Sequence, residues 1–471
     1  MRGALRILHV LHSFPPYSRG GTERYVGELA RAQVARGDDA SVLHAVEAPE
    51  FAGAALDARA AIDARAAIDA RAAIDARAAI DARAAIDAHA AIDAHAAIDA
   101  HAAVDEARVD GLRVLRVPAA PPLGGRALVD PALPGRRELL AALFARERAD
   151  LVHVHHLHGL DLKLVSLARA AGSATVVSLH DHFASCARFF RVPASLEPCP
   201  DDQSRANCAR CLERDAPGQF ALLEGLLAER ERVLHAELAA AGARLAVSPS
   251  QRRMLDAIPA LRGLEFATVE LPWAAVPPLS AARAPRGGVD LSIATWGGLV
   301  PGKGLAVLVE ACALLPDPSR VDVHHYGDAL DRAHADACRA AARGFRLELH
   351  GRFESAELAL IAARHDLAVF PSLYVETHGY TVDEALGLGM PVLVSDRGAP
   401  PARIGARGAA FAAGDAVALS KLLRELVEQP RRLAALRAGA HAPPVTLAAH
   451  LARLDAVYAR ARALSASRPP A

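Results

Sequence analysis

The chain has no surplus of charge. Over 471 residues, 54 Lys and Arg offset 54 Asp and Glu, so the net charge is zero. That balance gives no argument for a nucleic-acid partner or for wholesale attraction to an anionic surface. Local basic patches are compatible with it, so peripheral membrane contact stays open. Although 52% of the residues are hydrophobic, no uncharged apolar run reaches the roughly 18 residues that a spanning helix needs. The opening MRGALRILHVLHSFPPYSRGG has only a short apolar stretch and no small-residue cleavage site, which reads as a first β-strand and not as a signal peptide. The expectation is a cytoplasmic or membrane-peripheral chain whose six cysteines are reduced.

What is present is α/β alternation, in a chain too long for one core. Apolar runs of strand length lie at Leu5–Leu11, Ala40–His44, Gly111–Val117, Ala149–Val154, Ala174–Leu179 and Arg244–Ser248. A second series begins with DLSIATWGG near Val289. It continues with a helix over Leu305–Leu315 and strands at Val321–Tyr326, Leu347–His350, Leu367–Phe370 and Val392–Ser395. Residues 270–287 are rich in Pro and Ala, as a linker would be. The reading is α/β with two Rossmann-like domains facing each other across a cleft. The first covers 1–270, the second covers 288–446, and a helix over 447–464 packs back on the first.

From Asp57 the hexad D-A-R-A-A-I recurs eight times through residue 104, with His replacing Arg in the last three copies. A period of six turns a helix by about 240°, so the Ile residues spread over three stripes and make no single apolar face. The segment reads as an expanded surface insertion, part helix and part disordered, without a direct catalytic role. A left-handed β-helix is the other formal reading.

Several positions carry chemistry. Glu376 and Glu384, with seven residues between them, lie in PSLYVETHGYTVDEALGLGMPV: one leaves the strand end, and the other rides on a helix beginning near Gly379. The backbone between them, through Tyr380 and Thr381, faces a helix N-terminus suited to phosphate or sugar oxygens. An ionised carboxylate only accepts hydrogen bonds, and the two hydroxyls of a ribose supply two donors. Lys303 stands between two glycines just before a helix, where a cation and a helix N-terminus both attract phosphate; an exposed lysine in a turn is the alternative. Gly20 and Gly21 open the first helix, where bare backbone can approach an anion or simply turn. His180 and Asp181 end the strand ATVVSL. The string His153-Val154-His155-His156-Leu157-His158 has the composition of a metal tract. Alternation puts His153 and His155 on one face of a strand, and a cleft-shaping role is favoured over a metal.

Together these segments resemble the family-4 retaining glycosyltransferases (glycosyl transferases group 1, GT-B fold). The pair Glu376 and Glu384 is similar to that family's E-x7-E element, Gly20 to Arg24 to its GGxER, and the run up to Lys303 to its G-R-L-x-x-x-K-G. Asp150 to His155 fits its D-x-V-H-x-H. The resemblance covers both halves of the chain outside the hexads and most of the cysteine-rich loop 186–211. It implies transfer of a sugar from a nucleotide-diphosphate sugar to a hydroxyl of a glycan or lipid-linked acceptor, with retention. It further implies that Lys303 and the Gly20-Gly21 backbone hold the diphosphate. Glu384 would take the ribose, Glu376 the sugar hydroxyls, and His180 a sugar hydroxyl or the leaving phosphate. Two departures stand out. Gly298 replaces a frequent Arg, and Glu376-Thr377-His378-Gly379 replaces Glu-Gly-Phe-Gly, which puts Thr377 and His378 in the loop under the sugar. The chain contains no D-x-D, the motif by which glycosyltransferases of the other common architecture hold a divalent ion, so chemistry without a metal cofactor is expected.

Cys186, Cys199, Cys208 and Cys211 are spaced by 13, 9 and 3 residues. The set suits a structural zinc ion, with free or redox-labile thiols next and an iron–sulfur cluster last. Cys312 and Cys338 fall in helical patterns and read as core. Two other functions remain open: a non-catalytic sugar-nucleotide-binding scaffold on the same fold, and a nucleotide-sugar epimerase.

Overall fold

The computed structural model describes residues 3–18, 20–46, 104–119, 135–192, 199, 203–214, 217–273, 276 and 289–467. The hexads through residue 103, all of 277–288 and part of the cysteine-rich loop lie outside them. The chain divides into two compact units, one built on Met1–Arg191, Cys199–Leu271 and Leu447–Ala471, the other on Val192–Pro198 and Pro272–Thr446. Among the described residues no helix is long and apolar enough to cross a membrane.

The first unit holds eight strands: β1 (Arg6–Leu11), β2 (Asp39–Val46), β3 (Asp105–Val109), β4 (Leu112–Pro118), β5 (Leu151–Val154), β6 (Ala174–Leu179), β7 (Ala243–Ala246) and β8 (Ala267–Thr268). Their order is β3-β4-β2-β1-β5-β6-β7-β8, parallel throughout except for the β3–β4 pair. The expected strand at Arg244–Ser248 stops at Ala246, because Ser248 already caps the next helix by accepting from the Gln251 N–H. Parallel strands covered on both faces read as unbroken apolar runs, and β1, β5 and β6 are buried almost end to end. The helix Leu447–Ala466 belongs to this unit and packs on β6 and β7.

The second unit is a six-stranded, wholly parallel sheet: β9 (Leu291–Trp296), β10 (Val321–Tyr326), β11 (Arg346–Leu349), β12 (Leu367–Phe370), β13 (Val392–Ser395) and β14 (Gly408–Phe411). The order is β11-β10-β9-β12-β13-β14. The period of two separates its two cores. Leu291, Ile293, Leu367, Val369 and Leu393 enter one cluster. Ala294, Trp296, Ala368, Phe370, Val392 and Val394 enter the other. Cys312 and Cys338 are buried in the first of these clusters.

In each sheet the strand order reverses once, between β1 and β5 and between β9 and β12. Open α/β sheets bind ligands beyond the carboxyl ends of the strands at such a reversal. The segments that follow β1, β5, β9 and β12 carry His12, His156, Lys303 and Glu376.

Candidate functional site

In the second unit, Lys303 and Glu376 meet. The segment after β9 forms a short 3-10 turn, Pro301–Lys303, and Gly304, with φ of 78°, opens the helix Leu305–Ala313. A Cβ on Gly302 would sit 1.9 Å from the Tyr374 ring, and one on Gly304 1.9 Å from the Pro371 carbonyl oxygen. The two glycines therefore let the lysine turn lie directly on the segment after β12, where the Leu373 N–H donates to the Gly302 carbonyl at 2.8 Å. This contact brings Lys303 Nζ to 2.7 Å from Glu376 Oε1, which also accepts from Ser372 Oγ at 2.8 Å. The backbone at Glu376 is fixed by a bridge to Gly398 and by the Ala399 N–H. An ion pair with the lysine half exposed leaves its remaining ammonium protons directed at solvent or ligand.

Glu384 lies on the helix Tyr380–Gly387, which starts from a left-handed Gly379. Its carboxylate is buried and accepts from Trp296 Nε1 at 2.8 Å. Trp296 is the last residue of β9, so the strand that leads to Lys303 also holds Glu384. Gly379, Tyr380 and Thr381 supply the helix N-terminal backbone. His378 sits in the loop before this helix with its side chain turned inward. It is buried, with Nε2 2.8 Å from Asp383 Oδ2, and its ring nitrogens lie 2.8 and 3.1 Å from the Arg403 guanidinium, which also pairs with Asp383. Thus the imidazole braces the loop against Asp383 and Arg403. Burial, then the Arg403 charge, hold His378 below its usual pKa, and Asp383 pulls it up. A side chain at the departed position Gly298 would come within 2.9 Å of Leu330 Cδ1.

In the first unit, Gly20 and Gly21 are the N-cap and first residue of the helix Gly21–Ala35. Neither needs positive φ. The constraint on Gly20 is steric, since a Cβ there would lie 2.5 Å from Glu23 Oε2. Buried Glu23 accepts from Ser18 Oγ at 2.8 Å and lies 3.5 Å from His12 Nε2. His180 follows β6. Its Nε2 is 2.9 Å from His155 Nδ1, and His155 Nε2 is 3.0 Å from His9 Nδ1. His9 Nε2 reaches Gln33 Oε1 at 2.7 Å. Beside this file, His153 bonds Tyr458 through Nδ1 and Ser178 through Nε2, each at 2.8 Å. Burial holds His153, His155 and His156 well below the usual imidazole pKa, with neighbouring imidazoles adding to the effect, and it brings His9 down to about 4.

Three histidine groups bring donor atoms within 4.8 Å of one another: His9, His153 and His155; His12, His156 and His158; His324, Glu348 and His350. The first spends its nitrogens on the hydrogen bonds just described. In the second, His12 and His156 share a bond at 2.9 Å, and Asp181 lies 3.4 and 3.7 Å from His158 and His156. The four cysteines are not among these groups. They do share one charged environment: burial, then the Cys186 thiol, push Cys199 and Cys208 up to about 11. Arg188 Nε donates to Cys211 Sγ at 3.2 Å. Arg230 is buried and feels Cys186 and Cys208, and its Nε has no hydrogen-bond partner among the described residues.

Motif reading missed Trp296, Ser372, Asp383 and Arg403 in the second unit, and Gln33, His9 and Tyr458 in the first. Only His9 left a local trace, as a polar residue inside an apolar strand.

Comparison with known proteins agrees with this layout. Residues 290–429, nearly the whole of the second sheet and its helices, match the family described as Glycosyl transferases group 1. No curated protein matches the chain. Among solved structures, HepE of Anabaena, crystallised with UDP and glucose, is 14% identical, with a TM-score of 0.57 over 97% of this chain and 99% of that one. Sucrose-phosphate synthase from Thermosynechococcus elongatus is 16% identical, with a TM-score of 0.57 over 98% and 97%. The catalytic domain of Arabidopsis thaliana starch synthase IV, bound to ADP and acarbose, is 12% identical, with a TM-score of 0.57 over 98% and 100%. The chain has the fold of the GT-B glycosyltransferases, and its second unit carries the group 1 domain.

Proposed function

We propose that the protein is a retaining glycosyltransferase that moves a sugar from a nucleoside-diphosphate sugar to a hydroxyl of a glycan or lipid-linked acceptor. The observation that carries this reading is the Lys303–Glu376 contact of 2.7 Å at the strand-order reversal of the group 1 domain. There a cation, a carboxylate and the start of the helix Leu305–Ala313 stand together. Lys303 would neutralise charge gathering on the departing diphosphate, where a fixed cation in a dry site is most effective. Glu376, already sharing Lys303, would orient sugar hydroxyls. Glu384, held by Trp296, would accept from the ribose diol. His180 would face the reacting sugar. HepE with UDP and starch synthase IV with ADP support a nucleoside diphosphate as the shared portion of the donor.

The reaction is proposed to need no divalent ion, and the product to enter polysaccharide or glycoconjugate synthesis. Zinc would be structural, held by Cys186, Cys199, Cys208 and Cys211, with Arg188 and Arg230 balancing its thiolates.

The test is thermal stability against a panel of nucleoside diphosphates and their sugars, followed by product analysis. A ligand at a hundred times its Kd adds about 2.7 kcal/mol. A shift for one base, absent in Glu384→Ala, and an unchanged anomeric configuration in the product with EDTA present are expected. Absence of any shift, or an inverted product, overturns the reading.

A further inference from the structure

We infer that the second unit binds a zinc ion at the edge of its sheet, between His324, Glu348 and His350. None of the three has a part in the transfer reaction proposed above. Strand pairing brings them together. His324 on β10 and Glu348 on the edge strand β11 are register partners, and His350, two residues beyond Glu348, continues the same face. The His350 N–H donates to the His325 carbonyl at 2.8 Å. Its ring stacks on Tyr326, with centroids 4.3 Å apart and planes 8° from parallel, so backbone and imidazole are both held. Three atoms converge. His324 Nδ1 lies 2.9 Å from His350 Nε2 and 3.2 Å from Glu348 Oε2, and the last two are 3.5 Å apart. Ligand bonds of about 2.0–2.2 Å arranged as a tetrahedron place donor atoms roughly 3.3 Å from one another. The triangle already has the edge lengths of a zinc site.

Hydrogen bonds alone do not satisfy it. Asp322, two residues before His324 on the same face, has Oδ2 3.3 Å from His324 Nε2. Against the upward pull of burial, hydrogen bonds with His324 and Ser292 hold the Asp322 carboxyl below its usual pKa, so at neutral pH it is ionised and only accepts. His324 Nε2 therefore carries a proton, and a neutral His324 presents a lone pair at Nδ1. The Glu348 oxygen facing that lone pair is also an acceptor. One hydrogen at most, on His350 Nε2, is left to serve both. A divalent cation meets all three lone pairs, and Asp322 then becomes the carboxylate that orients a ligating imidazole from behind. The other Glu348 oxygen pairs with Arg346, which leaves Oε2 for the ion. Neighbouring His365 is committed elsewhere, with Nδ1 on Ser292 Oγ and Nε2 on the Tyr326 hydroxyl, each at 2.8 Å. Two imidazoles and one carboxylate suit zinc better than calcium or magnesium, which take oxygen ligands. Glu348 and His350 are each about a third exposed, so water takes the fourth position. Such an open site fills from added zinc, unlike the closed four-thiolate site proposed in the first unit. The rival arrangement is a His324 imidazolium bridging Asp322 and Glu348, which would repel the ion.

The test uses the full chain, treated briefly with a chelator, desalted, and titrated with zinc chloride by calorimetry. Expected is uptake of one equivalent beyond the metal that the chain retains. His350→Ala should abolish it, and Asp322→Asn should weaken it roughly tenfold or more. Cobalt(II) in place of zinc should give ligand-field bands without thiolate charge transfer, which separates this site from the cysteines. In the native chain with 15N-labelled histidine, zinc should shift His324 Nδ1 and His350 Nε2, a readout that needs no variant to fold. No further uptake by the native chain, uptake that survives in His350→Ala, or a thiolate band overturns the inference. A His324 protonated on both nitrogens near neutral pH and unmoved by zinc identifies the imidazolium arrangement and overturns it equally.

Discussion

Arg403→Met should turn the second unit's pH dependence around. Asp383 is wholly enclosed, and its charge is met by Arg403 and by His378 Nε2 at 2.8 Å. Stripping one partner from a buried ion pair costs about 3–5 kcal/mol, because the other charge stays buried and unpaired. That loss should appear in full near pH 8, where His378 is neutral. In the native protein, burial and the Arg403 charge lower the His378 pKa. A histidine with a folded pKa below its unfolded value of about 6.5 contributes stability that is complete above that pH and is lost as pH falls. Without the guanidinium, burial still lowers the His378 pKa, but the buried charge of Asp383 is left to His378 alone, and the prediction is that this charge carries the pKa above its unfolded value. Its contribution is then present below about pH 6.5 and is lost as pH climbs through the folded pKa. The variant's deficit should therefore shrink from pH 8 to pH 5.5, by on the order of 1 kcal/mol per pH unit at the steepest point. Urea denaturation followed by tryptophan fluorescence reads this cleanly, because both tryptophans, Trp273 and Trp296, lie in the second unit. A loss under about 1 kcal/mol at pH 8, or the same loss at both pH values with unchanged m, refutes the reasoning.

Trp296→Phe should leave the fold intact but loosen Glu384. Removing a hydrogen bond to a charged group is worth about 1.5–3 kcal/mol, which predicts roughly tenfold or weaker nucleoside-diphosphate binding by calorimetry. Lys303→Met should lower kcat and leave base selectivity unchanged, a split that steady-state kinetics with two donors would show. The first unit should be acid-labile. His9 has a folded pKa near 4, well below its ordinary value, so its contribution, about 3 kcal/mol from the size of that shift, is complete above pH 6.5 and lost as pH falls toward 4. His153, His155 and His156 add to it in the same direction; circular dichroism in urea at pH 7 and pH 5 should show the first unit's transition move to lower urea. Metal analysis of purified protein should find about one zinc per chain, lost in Cys208→Ser; a metal-free native protein refutes the zinc assignment.

The sheets were legible because central parallel strands are buried on both faces and leave unbroken apolar runs. Three edges were not. β3 reads DEARV, with side chains no more than half-buried, β8 is two residues long, and β14 is the small-residue stretch GAAF. None of these has the apolar weight of a core strand. Glu376, Glu384 and Lys303 were legible because a glycine, a strand end and a helix start lie within a few residues of each. Their partners were not: Trp296 is 88 positions from Glu384 and Lys303 is 73 from Glu376. The burial of His378 was hidden for a related reason. Its spacing from Glu376 puts it in the loop, but a buried Asp383 and Arg403 draw the ring inward, and Arg403 is 20 positions from Asp383.

The same topology explains what local reading can and cannot reach. Where the strand order of a doubly wound sheet reverses, neighbouring strand ends come from stretches of chain far apart in sequence: β1 lies beside β5, and β9 beside β12. A motif describes one wall of such a site, and the fold supplies the other. In the first unit this goes further, since the partner of His153 is Tyr458, 305 positions on, in a helix that the chain adds after completing the second unit. Gln33 bridges that helix and His9, yet nothing in the local sequence marks it. Its place follows only from the fold, which sets it between β1 and the last helix.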